Sequence, residues 1–311
     1  MIVYPTYYPT FRCIAGACKH NCCIGWEIDI DDETYARYRS VEGAFGKRLN
    51  SNIDIVDGVP SFRLGEGERC PFLNEDNLCD VIFALGEDAL CEICRMHPRY
   101  RSFYTAREEL GLGLACEEAA RLLLSCEDGF KLQTEMGDCP NDRLGDGEEV
   151  EFFRLRKGIF AMLGRRGCSV YQRMKDCLEG AAFLPLLAGW SAWRPVFESL
   201  EILDPSWTER LLEVQSEDWL KADAEMERWL ELTCSAFVYR HLGRVLEGDS
   251  PEAVLGFCFL STAVIGALWQ AQKRRVGALS LADAAELLRA YSSEIEYSTE
   301  NTTALVEACG V

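Results

Sequence analysis

Four cysteines fall within eleven positions of FRCIAGACKHNCCIGWEIDID (residues 11–31): Cys13, Cys18, Cys22 and Cys23. Six more follow before residue 127: Cys70, Cys79, Cys91, Cys94, Cys116 and Cys126. The remaining six of the sixteen, at 139, 168, 177, 234, 258 and 309, stand singly. Scattered thiols are mostly small buried hydrophobes, whereas clustered ones point to metal or redox chemistry. The opening MIVYPTYYPTFRC has neither the basic n-region nor the apolar h-region of a secretion signal. A cytoplasmic, reducing setting is therefore expected, and a disulfide framework is not. Thiolates drawn from distant segments suit zinc and iron–sulfur clusters alike. Four are enough for one zinc ion or one four-iron cluster, so these candidates exceed a single site.

Geometry trims the set. Adjacent Cys22 and Cys23 would point apart in extended chain. A continuous helix over 116–126 would hold Cys116 and Cys126 ~15 Å apart, too far to share an ion. At a helix N-terminus, Cys116 would favour its thiolate. Cys91 and Cys94 have chelating CxxC spacing. After Cys18-x3-Cys22 the next cysteine of a CxxxCxxC motif would fall on Gly25, so the usual signature of radical S-adenosylmethionine enzymes is absent. His20 and His97 lie among the thiols as alternative ligands, though packing or surface roles suit them better. Arg99 is placed to donate to cluster sulfurs.

The elements that would position these groups divide the chain in three. Residues 1–126 read as an irregular, partly β, cysteine-rich region. Residues 127–149, rich in Gly and Asp, read as a linker or surface loop, and 150–311 as a helical domain. The expected fold is mainly α: short β-hairpins around a metal cluster, then a helical bundle. Within it, 31–41 and 116–124 read as helices, 52–64 as a hairpin turning at Asp57-Gly58, and 101–106 and 109–115 as short strands. In 216–247, Trp219, Met226, Trp229, Leu230, Phe237, His241 and Val245 recur at helical spacing. Ser250-Pro251-Glu252 opens a further helix, and 280–292 reads as the last amphipathic one.

Composition excludes some functions. Against 32 Lys and Arg stand 51 Asp and Glu, a formal net charge of −19. Nucleic-acid binding needs clustered basic groups, and RHLGR at 240–244 is too short a patch. An acidic surface would instead attract a basic, lysine-bearing partner. The most apolar run, 253–269, has 17 residues where a membrane span needs ~20. It reads as a buried core helix, and no membrane role is expected. Gly111 and Gly113 are a poor match to a dinucleotide-type loop, lacking the third glycine and the βαβ context.

Taken together the motifs resemble the flagellin lysine-N-methylase family. The likeness begins with Cys13-x-x-Gly16-x-Cys18-x3-Cys22-Cys23-x-x-Trp26-x-Ile28, followed by Asp29 and Tyr35. It continues in CPFLNEDNLCDVI (70–82), Gly86, LCEIC (90–94), HPR (97–99) and LACEEAARLLL (114–124). Weaker likenesses are FVYRHLGR (237–244) and SSEIEYSTENTTAL (292–305), in which Tyr297 stands where the family usually has His. The resemblance implies S-adenosyl-L-methionine as methyl donor and lysines of flagellin as acceptors. It also implies an iron–sulfur cluster, of 4Fe-4S type, held by cysteines among Cys13, Cys18, Cys22, Cys23, Cys70, Cys79, Cys91, Cys94 and Cys116. The residues in family-like motifs give the catalytic candidates Tyr239, His241, Glu296 and Asn301, and the donor-binding candidates Trp26, Asp29 and Ser298. Trp26 and His241 also read as core residues, and Glu296 and Asn301 as helix caps.

Methyl transfer to lysine needs a neutral amine, whereas a free lysine titrates at ~10.4. A methylase must therefore desolvate the ammonium or accept its proton. The first half also resembles small cysteine-cluster proteins known as metal binders. That keeps open a non-enzymatic iron–sulfur or zinc protein with a redox or protein-binding role.

Overall fold

The computed structural model describes residues 1–135, 147–178 and 184–310. The chain opens with strand β1 (Ile2–Pro5). Residues 12–100 then form one compact unit, with α1 (Asp32–Ser40), α2 (Gly43–Ser51), β2 (Ile53–Val56), β3 (Val59–Phe62), α3 (Asp80–Leu85) and α4 (Glu92–Met96). A second unit joins residues 1–11 to those from 101 onward. Strand β4 (Arg99–Phe103) straddles that division, and β5 (Glu108–Leu112), α5 (Glu117–Leu124), β6 (Leu132–Glu135) and α6 (Gly147–Leu163) follow. The rest is helical: α7 (Val170–Cys177), α8 (Leu184–Leu187), α9 (Trp190–Glu198), α10 (Pro205–Glu213), α11 (Ala224–His241), α12 (Pro251–Val276), α13 (Leu281–Tyr291) and α14 (Thr299–Cys309).

This division differs from the boundaries expected at 126 and 150, and the sheet explains why. Its strand order is β4-β5-β1-β6. β1 runs parallel to β5, with Ile2 opposite Glu108, and antiparallel to β6, with Ile2 opposite Glu135 and Pro5 opposite Leu132. The first residues are thus stitched to the helical unit. The stretch read as a linker contributes β6, and α6 already starts at Gly147; the remainder of that reading, 136–146, lies outside the described residues.

In the 12–100 unit, β2 and β3 form the expected hairpin, with Val56 opposite Val59. Asp57 (φ 51°) and Gly58 (φ 88°) both take the left-handed conformation that a two-residue hairpin turn requires. Ile28, Ile30, Tyr38, Leu49, Phe62 and Phe72 build the core, and Cys70 and Cys91 are buried within it.

The helical unit is organised around α12. It is long and apolar enough to span a membrane, yet 94% of its apolar window is buried inside the protein. α11, α13, α14 and α10 pack around it. Ser250 Oγ accepts from the Ala253 N–H at 3.1 Å, Pro251 takes the first turn, and Gly277 (φ 85°) ends the helix. The basic residues of its last turn are used inside the unit: Lys273 pairs with Asp223 at 2.5 Å and Arg274 with Asp218 at 2.9 Å. The 216–247 pattern is helical but broken. A 3₁₀ turn at Ser216–Asp218 precedes α11, whose Asp223 cap accepts from Glu225 and Met226 N–H, and a 3₁₀ segment, Leu242–Glu247, follows it. The sheet is fastened to α11 by Tyr239, whose hydroxyl lies 3.1 Å from the carbonyls of Val3 and Leu110. It is fastened to α6 by the buried Arg156–Glu109 pair, which Arg107 joins at 2.7 Å.

Candidate functional sites

Two groupings of reactive side chains stand out, one in each unit. In the 12–100 unit the thiols approach through tight turns. Ile24 N–H bonds Asn21 O at 3.2 Å, and Cys23 N–H bonds Asn21 Oδ1 at 2.9 Å. This turn overrides the extended-chain expectation for Cys22 and Cys23: their side chains do not point apart but hydrogen-bond each other. Cys70 N–H donates to Cys23 O at 2.9 Å, laying the next segment alongside. Cys79 is the N-cap of α3 and Cys91 that of α4, with Cys94 one turn further on. The Cys91 and Cys94 thiols share a hydrogen bond. Cys94 also lies within electrostatic reach of Cys23 and Cys70, and Cys23 within reach of Cys70 and Cys79.

Each bonded pair is asymmetric. The bond from Cys23 draws the Cys22 thiol down to about 7, and the bond from Cys94 lowers that of Cys91. The same bonds, with burial, push Cys23 and Cys94 up. Burial raises Cys70 to about 11. Among the described residues, however, no three His, Cys, Asp or Glu side chains are already set as ligands of one metal ion. The thiols are neighbours, not a closed cage.

Cys13 and Cys18 occupy an exposed loop, where Cys13 Sγ accepts from Ala15 N–H at 3.4 Å and Cys18 Sγ donates to His20 O at 3.2 Å. A Cβ on Gly16 would stand 3.1 Å from Asp76 O, so glycine lets this loop lie against the 74–78 turn. The Trp26 indole N–H donates to Cys22 O, and its ring lies 5.5 Å from that of His97. Burial lowers His97 to about 4 and keeps it neutral. Asp29 accepts from Ser61 Oγ at 2.7 Å and so braces the hairpin. Cys116 is the N-cap of α5, in the helical unit.

The second grouping lines a cleft of about 660 Å³ within the helical unit. Its walls come from Arg101 to Tyr104, Glu149 on α6, the end of α11 with the following 3₁₀ segment, and Glu296, Thr299 and Thr302. α13 does not stop at Tyr291 but widens into a π-helical turn, Ser292–Glu296, a departure that recurs at functional sites. The turn delivers Glu296 to the end of α11. His241 Nε2 lies 2.6 Å from Glu296 Oε1, Arg240 Nε lies 3.3 Å from the same oxygen, and Ser292 Oγ donates to Oε2 at 2.5 Å. Burial alone would raise the Glu296 carboxyl. The Arg240 charge and the His241 and Ser292 hydrogen bonds outweigh it and hold the group at about 2. Burial lowers the His241 pKa in spite of Glu296. His241 is stacked on Phe237 and meets Phe257 edge-on. An ionised carboxylate only accepts hydrogen bonds, so Nε2 carries the hydrogen and Nδ1 of the neutral ring keeps its lone pair.

The other candidates in this unit are occupied structurally. Tyr239 ties sheet to helix. Ser298 caps α14 through Asn301 N–H and donates to Glu201 at 3.0 Å. The Asn301 side chain bonds Glu201 N–H, Glu201 O and Glu294 O, each at 2.9 Å. Tyr297 is 45% exposed, with the Arg240 guanidinium 5.6 Å above its ring. Arg240 in the cleft wall and Ser292, buried behind Glu296, were not among the sequence candidates, although signals existed. Ser292 stands one helical turn before Glu296, and Arg240 stands beside His241.

The chain is 30% identical over 137 residues to the flagellar biosynthetic protein FliU of Salmonella muenchen, a match covering 42% of this chain and 81% of FliU. The chain belongs to the family of FliU and the lysine-N-methylases. Two lysine-N-methylases of that family, from Salmonella typhimurium and Salmonella choleraesuis, are each 29% identical to it over 137 residues. The match spans about a third of the length of each of these two, 34%. No family model matches the chain, and no solved structure does.

Proposed function

We propose that this chain is a cytoplasmic protein-lysine N-methyltransferase that takes its methyl group from S-adenosyl-L-methionine and acts on flagellin. The observation that carries the reading is the kinship with proteins named lysine-N-methylase and with a flagellar biosynthetic protein. A cleft holding a neutral histidine backed by an ionised carboxylate supports it, because the reaction needs a proton acceptor for the lysine ammonium.

The proposal includes a thiolate-bound iron–sulfur cluster in the 12–100 unit, with ligands drawn from Cys22, Cys23, Cys70, Cys79, Cys91 and Cys94. Their soft donor chemistry and close grouping suit it, and zinc is the alternative occupant. When bound, a cluster would cross-link the turns around α3 and α4. In the protein itself, the lowered thiols of Cys22 and Cys91 are the first to release their protons.

A second reading is a cluster protein with a redox or protein-binding role and no transferase activity. It draws on one observation: Tyr239, Ser298 and Asn301 are all engaged in holding elements together. The test is to purify the full chain without oxygen, incubate it with S-adenosylmethionine and unmethylated flagellin, and read the intact mass of the flagellin. Mass added in methyl-sized steps and lost on omitting the donor supports the methylase. A folded, coloured protein that leaves the mass unchanged supports the second reading.

A further inference from the structure

We propose that the cleft at the end of α11 is the acceptor-lysine site, with His241 as proton acceptor and Ser292 as a positioning residue acting through Glu296. The inference rests on the methylase reading above and names where in that enzyme the amine is prepared.

The cleft does not select on net charge. Arg101, Arg240 and Arg244 face Glu149, Glu247 and Glu296 around it. What it offers is a base. The His241 ring is held by stacking on Phe237 and by its Nε2–H bond to Glu296, 55 residues away in the chain. No described residue hydrogen-bonds Nδ1. Glu296 is held in turn by Ser292 on one oxygen and by Arg240 and His241 on the other. The Arg244 guanidinium, like that of Arg240, also acts on His241 and lowers it; the other titratable groups near this pair are Cys258 on α12, Tyr291 on α13 and Tyr297. All three are raised and neutral at physiological pH.

The chemistry closes on these atoms. A lysine ammonium entering the cleft gives one proton to Nδ1. The imidazolium that forms faces the Glu296 carboxylate. The freed amine lone pair forms a bond to the sulfonium methyl carbon as the carbon–sulfur bond breaks, its electron pair staying on sulfur. The products are a methylated lysine ammonium and a neutral thioether, and the His241 proton returns to water. The π-turn earns its place here, because it brings Ser292 and Glu296 together against the end of α11.

The test has two readouts. The first is the tautomer of His241 by ¹⁵N NMR on the full chain, which is tractable because only three histidines are present and His20→Gln identifies one. The Nε2–H form is expected at neutral pH in the wild type and a mixture in Ser292→Ala. The second readout is the rate of flagellin methylation against pH. His241→Gln should lose about 100-fold or more near neutrality. It should then regain about tenfold per pH unit as lysine approaches its own ~10.4, while the wild type levels off. Ser292→Ala should fall about tenfold and recover in Ser292→Thr, which keeps the hydroxyl. An Nδ1–H ring or an imidazolium at neutral pH overturns the proposal. So does a His241→Gln protein with the wild-type rate and profile, which would leave the methylase reading standing. A folded wild type that never methylates flagellin overturns both. If His241→Gln does not fold, the wild-type tautomer and the two Ser292 variants decide.

Discussion

The carboxylate of Asp31 accepts the backbone N–H of Glu92 at 2.8 Å, across 61 residues of sequence. Its other oxygen accepts from Thr34 N–H at 2.9 Å. One side chain therefore caps both α1 and the α4 turn that carries Cys91 and Cys94. Burial opposes ionisation of Asp31, but these N–H bonds outweigh it and lower its pKa. Asp31→Ala should destabilise the protein by about 1–2 kcal/mol, the worth of a lost cap. The wild-type advantage should be full above the unfolded carboxyl pKa of ~3.9 and disappear as pH falls through the lower folded value. Urea unfolding at pH 7 and pH 3 measures both; an equal deficit at the two pH values would contradict the linkage.

Glu296 makes a stronger demand. It is fully buried and faces Arg240 and His241. Glu296→Gln keeps the shape and removes the charge, so it should cost about 3 kcal/mol, as for one half of a buried pair. Because the folded carboxyl is held at about 2, the contribution is present above the unfolded value of ~4.3 and is lost only as pH falls through 2. Thermal unfolding from pH 6 to pH 2 should show the variant and the wild type converging at the acid end.

Two glycines in helices should behave in opposite ways. A Cβ on Gly266 of α12 would stand 2.4 Å from the buried Tyr171 hydroxyl, whereas one on Gly158 of α6 meets nothing within 4 Å. Gly266→Ala should destabilise by about 1–3 kcal/mol through overpacking. Gly158→Ala should stabilise by up to about 1 kcal/mol through helix propensity. Denaturant midpoints of the two variants check the contrast.

For the thiols, Cys70→Ser and Cys94→Ser should each abolish bound metal in protein purified without oxygen. Cys168→Ser and Cys309→Ser, at scattered positions, should leave it unchanged. Elemental analysis measures the metal, and visible absorption separates iron–sulfur from zinc. Full retention in the first two would remove the proposed ligand set.

Local signals in the sequence were readable. Ser250-Pro251 and Asp57-Gly58 announce a cap and a turn within a few residues, and each is found where expected. The turn that joins Cys22 to Cys23 also had a local sign, since Asn21 is a residue that bonds backbone two positions on. The division of the chain was not legible. It depends on β1 pairing with β5 and β6, and nothing within Ile2–Pro5 specifies partners so far away. The cleft was half legible: His241 and Glu296 were each picked out by motif, but their contact is made by a π-turn that no residue pattern foretold.

The central position of β1 also sets an order of assembly. During synthesis this strand emerges well before its partners and cannot pair with them until residues 108–112 and 132–135 have followed. The whole 12–100 unit is made in the interval. If that unit folds on emerging, it replaces a long flexible loop with a compact knot of chain and so lowers the entropy cost of bringing β1 to β5. The cysteine-rich unit would then act as an internal clasp for the newborn helical unit.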